Sequence, residues 1–425
     1  MIIQRAIQVG CGIVAVGAAI AALGAGAVHA QDNASWMRFN GQPVDRVASQ
    51  DHDRSFVREW EANPPRGYPT LSRANIAATR AAIAHYEKVV QQGGWPVVPE
   101  VELQAGSNHR AVAALSERLT LSGDLKDGGG GDYFDNGLER AVKRFQASNG
   151  LTPTGIVDKR TLAALNVTAQ ARLKQLKVNL GRLQSLVAQA GKKYVIVNIP
   201  AQQIEAVEGD RVVSRHAGVV GKIDRPTPVL TSSVHELNFN PVWRLPPTVI
   251  NKDLIPKGRE MASGKIDVLS KFKIDAYDGA GRKVDPTKVN WKSGQPMGLT
   301  FSQQPGPDNP LGFVKINFHN GHSVYLHDTP SDRLFGRNFR AASSGCVRVQ
   351  DVETLAAWLL AGNDGWSRGR VVGLKETRER LDVKLKKPVP LHMVYVTAWA
   401  TEDGIVQFRR DLYRRDGVEV SASTY

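Results

Sequence analysis

The sequence predicts a multidomain α+β chain, with helical domains in its first half and a β-rich domain carrying a lid in its second. Three observations carry this. The chain has 425 residues, more than one ordinary domain, so two or three are expected. Apolar residues recur at helical spacing up to about residue 189. From Tyr194 the period becomes two: YVIVNIP (194–200), QIEAVEG (203–209) and RVVSRHAGVVG (211–221) alternate, with Glu208-Gly209-Asp210 as a turn.

Residues 1–30, MIIQRAIQVGCGIVAVGAAIAALGAGAVHA, place Arg5 before an apolar run that ends in small residues, and polar Gln31-Asp32 follow. This pattern predicts a secretory signal peptide cut after Ala30, and hence export to the periplasm. Glycines interrupt the run and no basic cluster follows it, which argues against a retained anchor. Too little apolar sequence precedes Cys11 for a lipoprotein. Cleavage leaves Cys346 as the only cysteine, unable to form an internal disulfide and either inert or reactive.

Residues 31–55 are polar and aperiodic, a flexible segment. A helical scaffold is expected over 56–100, where RANIAATRAAIAHYEKVVQQGG (73–94) aligns Ile76, Ile83, Tyr86 and Val90 before Gly93-Gly94 stops it. A separate unit follows at 101–168. Its helices are AVAALSERL (111–119), a stretch within 134–151 that aligns Leu138, Ala141, Val142 and Phe145, and a third starting near Asp158. The DGGGGD loop (127–132) is no phosphate loop, since no Gly-Lys-Ser/Thr follows. Residues 169–193 hold a linking helix with Leu173, Leu176, Leu180, Leu183 and Val187 on one face. The β-rich domain spans 194–375, with a lid at about 245–295 rich in Lys, Pro, Gly and Asp. Residues 376–425 form a C-terminal extension packing on it. Fifty-five Lys and Arg against 41 Asp and Glu give a formal charge of +14, suited to an anionic polymer or surface. Export makes nucleic acid an improbable partner. Oligomeric state is left open.

VKINFHNGHSVYLHDTP (314–330) reads as a hairpin about a two-residue Asn320-Gly321 turn, with His319 facing His322. Strand alternation puts Ser323, Tyr325 and His327 on the face opposite His322, so the three histidines do not share one ion and no metal or other cofactor is expected. His327 ends its strand, and Cys346 follows nineteen residues later in the SSGCVRV turn, before a helix at 351–360. A histidine at a strand end and a cysteine in a tight turn suit a thiolate–imidazolium pair, in which the histidine lowers the thiol pKa and later delivers a proton. Gly345 permits close backbone approach, and its N–H with that of Cys346 suits an oxyanion. Spacing alone leaves a buried structural cysteine beside a satisfied core histidine equally open.

Two resemblances bear on this choice. FDNGLERAVKRFQASNGLTPTGIVDKRTLAALN resembles the three-helix peptidoglycan-binding domain. YLHDTP…RAASSGCVRV resembles the active-site signature of the L,D-transpeptidase catalytic domain, the YkuD family, in its larger periplasmic YcbB-like branch. Stretches such as VVGKIDRPTPVLTSSVHELNFNPVWRLPPTVI extend the likeness over most of 70–415. The resemblance implies that Cys346 attacks the carbonyl between the third and fourth residues of a peptidoglycan stem peptide and forms a thioester. An acceptor amine of another stem then makes a 3→3 cross-link. It implies His327 as general base and acid, the backbone carbonyl of Asp328 as its partner, and acylation by carbapenems. It places Tyr325 in the pocket. Ser344 stands where the common family has His, as in the YcbB-like branch. Arg348 and Arg340 bind a substrate carboxylate or hold the cysteine loop, and loop-holding is favoured for Arg348. Ser302 stands where that branch usually has Arg, which leaves substrate contacts there open. The same signature fits an L,D-carboxypeptidase with water as acceptor, or an enzyme that attaches an outer-membrane protein to peptidoglycan. A non-catalytic wall-binding scaffold would not need Cys346, His327 and Gly345 intact.

Overall fold

A computed structural model of the protein describes residues 69–126, 131–262, 264 and 266–417. The expected signal peptide, the polar segment after it, the start of the scaffold and most of the glycine-rich loop lie outside the described residues.

Helix α1 (Arg73–Gln91) starts where Ser72 Oγ accepts the Ala74 N–H at 3.2 Å. Its buried face is Asn75, Thr79, Ala82, Tyr86 and Val89, one step round from the expected stripe. Ile76, Ile83 and Val90 flank it, half-buried. Two polar residues hold the centre because their hydrogen bonds are made: Asn75 Nδ2 donates to the Pro69 and Thr70 carbonyls, and Thr79 Oγ1 accepts from Ala400 N.

The next unit has the three expected helices, α2 (Ala111–Leu121), α3 (Asn136–Ser148) and α4 (Lys159–Leu165). Asp135 and Asp158 cap α3 and α4, accepting from Leu138 N at 2.7 Å and Thr161 N at 2.8 Å. Leu115, Leu119, Leu138, Val142, Phe145 and Leu162 form its core. The unit is fastened to its surroundings. Arg409 Nη1 donates to the Ser148 carbonyl at 2.7 Å, and Thr152 N donates to Asn338 Oδ1 at 2.9 Å. Arg172 Nη2 of α5 (Ala169–Val187) reaches Asn149 Oδ1 at 2.9 Å.

The β-rich domain begins with β1 (Lys193–Asn198), β2 (Gln203–Glu208), β3 (Arg211–Gly221) and β4 (Leu230–Phe239). It continues through β9 (Val314–Phe318), β10 (Leu326–His327), β11 (Ala341–Ser343) and β12 (Val347–Val349) to β13 (Leu381–Val394). Their order is β11-β3-β12-β10-β9-β4-β13-β1-β2, and β2 also pairs with β3, so eight strands close and β11 sits outside. Closure removes sheet edges. Helix α6 (Val352–Leu360) buries Val352, Leu355, Ala356 and Leu359 in the sheet's core.

The C-terminal extension does more than pack on this domain, because it supplies β13, between β4 and β1. Its sequence, LDVKLKKPVPLHMV, conceals this by carrying three lysines and two prolines. Pairing with β1 starts only at Leu391, so Pro388 and Pro390 precede that ladder, and the register on β4 shifts between Lys384 and Val389.

The segment expected as a lid lies within a folded subdomain. Strands β5 (Trp243–Arg244), β6 (Ile274–Tyr277), β7 (Lys283–Val284) and β8 (Thr300–Gln303) form a second sheet, ordered β5-β8-β6-β7. Helical turns at Ile250–Leu254, Ile255–Met261 and Val268–Phe272 cover it. Trp243, Leu254, Leu269, Trp291, Phe301 and Leu311 make a core of its own. Gly258 is needed by that core, since a Cβ there would lie 2.2 Å from Trp291. A last hairpin, β14 (Ala398–Ala400) with β15 (Val406–Phe408), packs on α1 and α5.

Candidate active site

Three strands bring the site together. His327 on β10 lies opposite Lys315 on antiparallel β9 and in register with Arg348 on parallel β12. Two cations therefore flank the histidine. This register differs from that of a two-residue turn. Leu326 faces Ile316, and the Asn320 side chain closes a wider loop. Its Oδ1 accepts from His322 N at 3.0 Å and Val324 N at 3.2 Å, while Nδ2 donates to the Phe318 and Val324 carbonyls. His319 consequently stacks on His235, with ring centroids 4.1 Å apart, and His322 is exposed. Among the described residues no three His, Cys, Asp or Glu side chains are grouped to hold a metal ion.

His327 is buried, and its Nδ1–H donates to the Asp328 carbonyl at 2.5 Å. A carbonyl only accepts, so the proton is on Nδ1 and Nε2 carries the lone pair in the neutral ring. Burial, then the Arg348 charge, with Lys315 adding to it, push the imidazole down to about 3. The Asp328 carboxylate turns elsewhere: Oδ2 accepts from Phe313 N at 2.9 Å, and burial raises its pKa to about 6.

Cys346 is half-buried, and its sulfur meets both the backbone N–H and the hydroxyl of Tyr325. Desolvation pushes the thiol up to about 11, against the pull of those two hydrogen bonds and of the Lys315 and Arg348 charges. Both shifts favour a neutral thiol and a neutral imidazole over the expected thiolate–imidazolium pair. A neutral imidazole carries no charge to stabilise a thiolate, and the same two cations that favour the thiolate oppose imidazolium. Tyr325 also accepts from Trp243 Nε1 at 3.2 Å, stands edge-on to His327 with centroids 5.6 Å apart, and lies beneath Lys315 Nζ at 4.7 Å.

The cysteine turn is tightly tied. Gly345 has φ +114°, open to glycine and strained for other residues. Ser343 Oγ donates to the Cys346 carbonyl at 2.5 Å and accepts from Gly345 N at 3.2 Å, so the Gly345 N–H expected at an oxyanion already has a partner. Thr227 Oγ1 donates to the Gly345 carbonyl at 2.9 Å. Ser344 Oγ accepts from Arg225 Nη1 at 2.8 Å.

The two arginines are held differently. Arg340 holds the loop: Nε donates to the Gly218 carbonyl, Nη1 to that of Arg337 and Nη2 to that of Gln202. Arg348 is 4 % exposed, and its Nε and Nη1 have no hydrogen-bond partner. Burial lowers its pKa to about 10. Lys315, Trp243, Thr227, Arg225 and Asp253 were not singled out from sequence. The two-residue turn would have set Lys315 opposite Leu326, on the face away from His327.

A buried histidine at the end of β10 and a half-buried cysteine in the turn leading into β12, its neighbouring strand, are thus held on one closed sheet, residue types that suit acyl transfer. Residues 192–372 match the family model described as YkuD, "L,D-transpeptidase catalytic domain", and residues 108–165 match "Putative peptidoglycan binding domain". The chain therefore carries a YkuD-family L,D-transpeptidase catalytic domain together with a peptidoglycan-binding domain. It is 32 % identical over 222 residues to a "Putative L,D-transpeptidase" of Haemophilus influenzae, across 52 % of this chain and 44 % of that relative, less than half its length. Among solved structures, an L,D-transpeptidase from Xylanimonas cellulosilytica is 16 % identical (70 % of this chain, all of that one, TM-score 0.22). One from Stackebrandtia nassauensis is 13 % identical (70 % and 96 %, TM-score 0.26).

Proposed function

We propose that this protein is a peptidoglycan L,D-transpeptidase that forms 3→3 cross-links in the periplasm. The observation that carries the reading is the His327 Nδ1–H bond to the Asp328 carbonyl, which leaves Nε2 as a base on the strand beside the Cys346 turn. Nε2 takes the thiol proton as Sγ adds to the carbonyl of the third stem residue. The amide C–N bond breaks, and terminal D-Ala leaves as an amine, carrying the proton from Nε2. The remaining thioester is opened by the side-chain amine of a second stem. That amine's proton passes through Nε2 back to sulfur, and a new amide is left.

Lys315 and Arg348 favour negative charge on sulfur and oppose a resting imidazolium, so the thiol gives up its proton as sulfur attacks the carbonyl rather than beforehand. The buried, unpartnered edge of Arg348 suits a carboxylate of the stem. Disaccharide-tetrapeptide incubated with the protein should lose D-Ala and yield dimers by mass spectrometry, and Cys346→Ala should yield neither. Turnover independent of Cys346 would sink the reading. Release of D-Ala without dimers would favour the carboxypeptidase, and attachment to an added lysine-bearing protein the anchoring enzyme.

A further inference from the structure

Arg225 lies outside the catalytic pair, yet it joins two parts of the molecule. Nη1 donates to Asp253 Oδ2 at 2.6 Å and Nη2 to Oδ1 at 2.9 Å, a forked pair. The two side chains are 3 % and 0 % exposed, so solvent does not weaken the pair. Asp253 belongs to the π turn Ile250–Leu254 of the small subdomain. The same Nη1 also donates to Ser344 Oγ at 2.8 Å, two residues before the nucleophile.

Thr227, two residues beyond Arg225, grips the next link of that turn through the Gly345 carbonyl at 2.9 Å. Thr227 Oγ1 accepts in turn from Gly221 N at 2.8 Å, and its own N–H donates to Tyr413 Oη at 3.1 Å. One face of the 225–227 segment is therefore anchored to the sheet and the other to the subdomain.

We propose that Arg225 is a positioning residue through which Asp253 of the subdomain sets the pose of the Ser344–Cys346 turn. Displacement of the subdomain pulls on the guanidinium, and the turn that carries the sulfur moves with it. Ser344 thereby gains a role, since a short hydroxyl completes the guanidinium's contacts where a larger imidazole would compete for the space. The proposal rests on the reading of Cys346 as nucleophile only for its kinetic arm.

Ser344→Ala is the cleanest test, because it removes one hydroxyl and leaves the buried ion pair intact. Two rates are read on the full-length protein. The first is alkylation of Cys346 by iodoacetamide at pH 7.5, quantified by mass spectrometry, which needs no stem peptide. The second is release of D-Ala from disaccharide-tetrapeptide. A loosened turn admits water to the thiol, so alkylation should quicken at least threefold while kcat falls about tenfold and KM stays within twofold. Arg225→Lys should show the same opposite movement, and Arg225→Lys with Ser344→Ala should be no worse than Arg225→Lys alone. Asp253→Asn should reproduce the pattern from the subdomain side in its folded fraction. Unchanged rates, rates that fall together with folded fraction, or multiplied losses in the double variant overturn the proposal. Wild type that alkylates but never turns over tetrapeptide would overturn the transpeptidase reading instead, and the alkylation arm would still decide this one.

Discussion

Arg348 stands in register with His327 on the neighbouring strand, buried, with Nε and Nη1 lacking hydrogen-bond partners. Such a group destabilises the empty protein and becomes useful when an anion arrives.

Arg348→Met is accordingly expected to leave stability unchanged or raise it, by about 1–3 kcal/mol. Urea unfolding checks this. Tetrapeptide kcat/KM should fall at least tenfold in the same variant. Lower stability together with full activity would make Arg348 a loop-holding residue after all.

With the thiol at about 11 and His327 at about 3, both groups are neutral at pH 7. The alkylation rate of Cys346 in the substrate-free protein should climb from pH 7 to beyond pH 9, close to tenfold per unit, as thiolate forms. A plateau already reached near pH 6 would restore the thiolate–imidazolium pair as the resting state.

Tyr325 donates to the sulfur through its hydroxyl and accepts from Trp243. Tyr325→Phe removes one of the bonds that favour thiolate. Its alkylation profile should shift to higher pH, and turnover should fall about tenfold, the typical weight of one charge-assisted hydrogen bond near 1.4 kcal/mol. Parallel pH titrations of wild type and variant decide it.

His327 also ties stability to pH. Its pKa falls from the ordinary 6.5 to about 3 on folding, so between those values the unfolded chain binds the proton and the folded chain does not. This contribution is complete above pH 6.5 and is lost as pH falls toward 3. Relative to His327→Gln, wild type should lose stability on acidification, by at most about 1.4 kcal/mol per pH unit. Urea midpoints from pH 7 to pH 4 measure the difference, and parallel curves would refute it.

Gly258→Ala would drive a methyl into Trp291, a clash expected to cost about 1–3 kcal/mol. The loss should be local. Hydrogen exchange should quicken over 243–311 and stay near wild type in β1 and β13.

The elements that the sequence reveals are those with local causes. Asp135 and Asp158 sit three residues before the amides they cap, and β1 to β3 are short runs rich in Val and Ile, with Glu208-Gly209-Asp210 marking the turn between β2 and β3. Cys346 and His327 stand out because the residue types are rare and their turn is distinctive. The hairpin register was missed because the Asn320 side chain, rather than a two-residue backbone turn, closes the loop. That one-residue slip hid Lys315, since each step along a strand reverses its face. Arg225 and Asp253 meet across 28 residues, and no local pattern announces such a pair. β13 was obscured by its prolines, which fall where only one neighbour is paired.

The hydrogen bonds from Arg409 to Ser148, Arg172 to Asn149 and Thr152 to Asn338 give the three-helix unit a bearing as well as a position. A wall-binding module on a supple tether would let the cysteine sweep an arc and work on any stem within reach. Bolted down, and on the function proposed above, the module would act like the fence on a saw: a glycan strand seated on it would offer its stems to Cys346 from one side and at one offset. Which stems are joined would then be decided partly by the pitch of the strand, before any chemistry at the thiol.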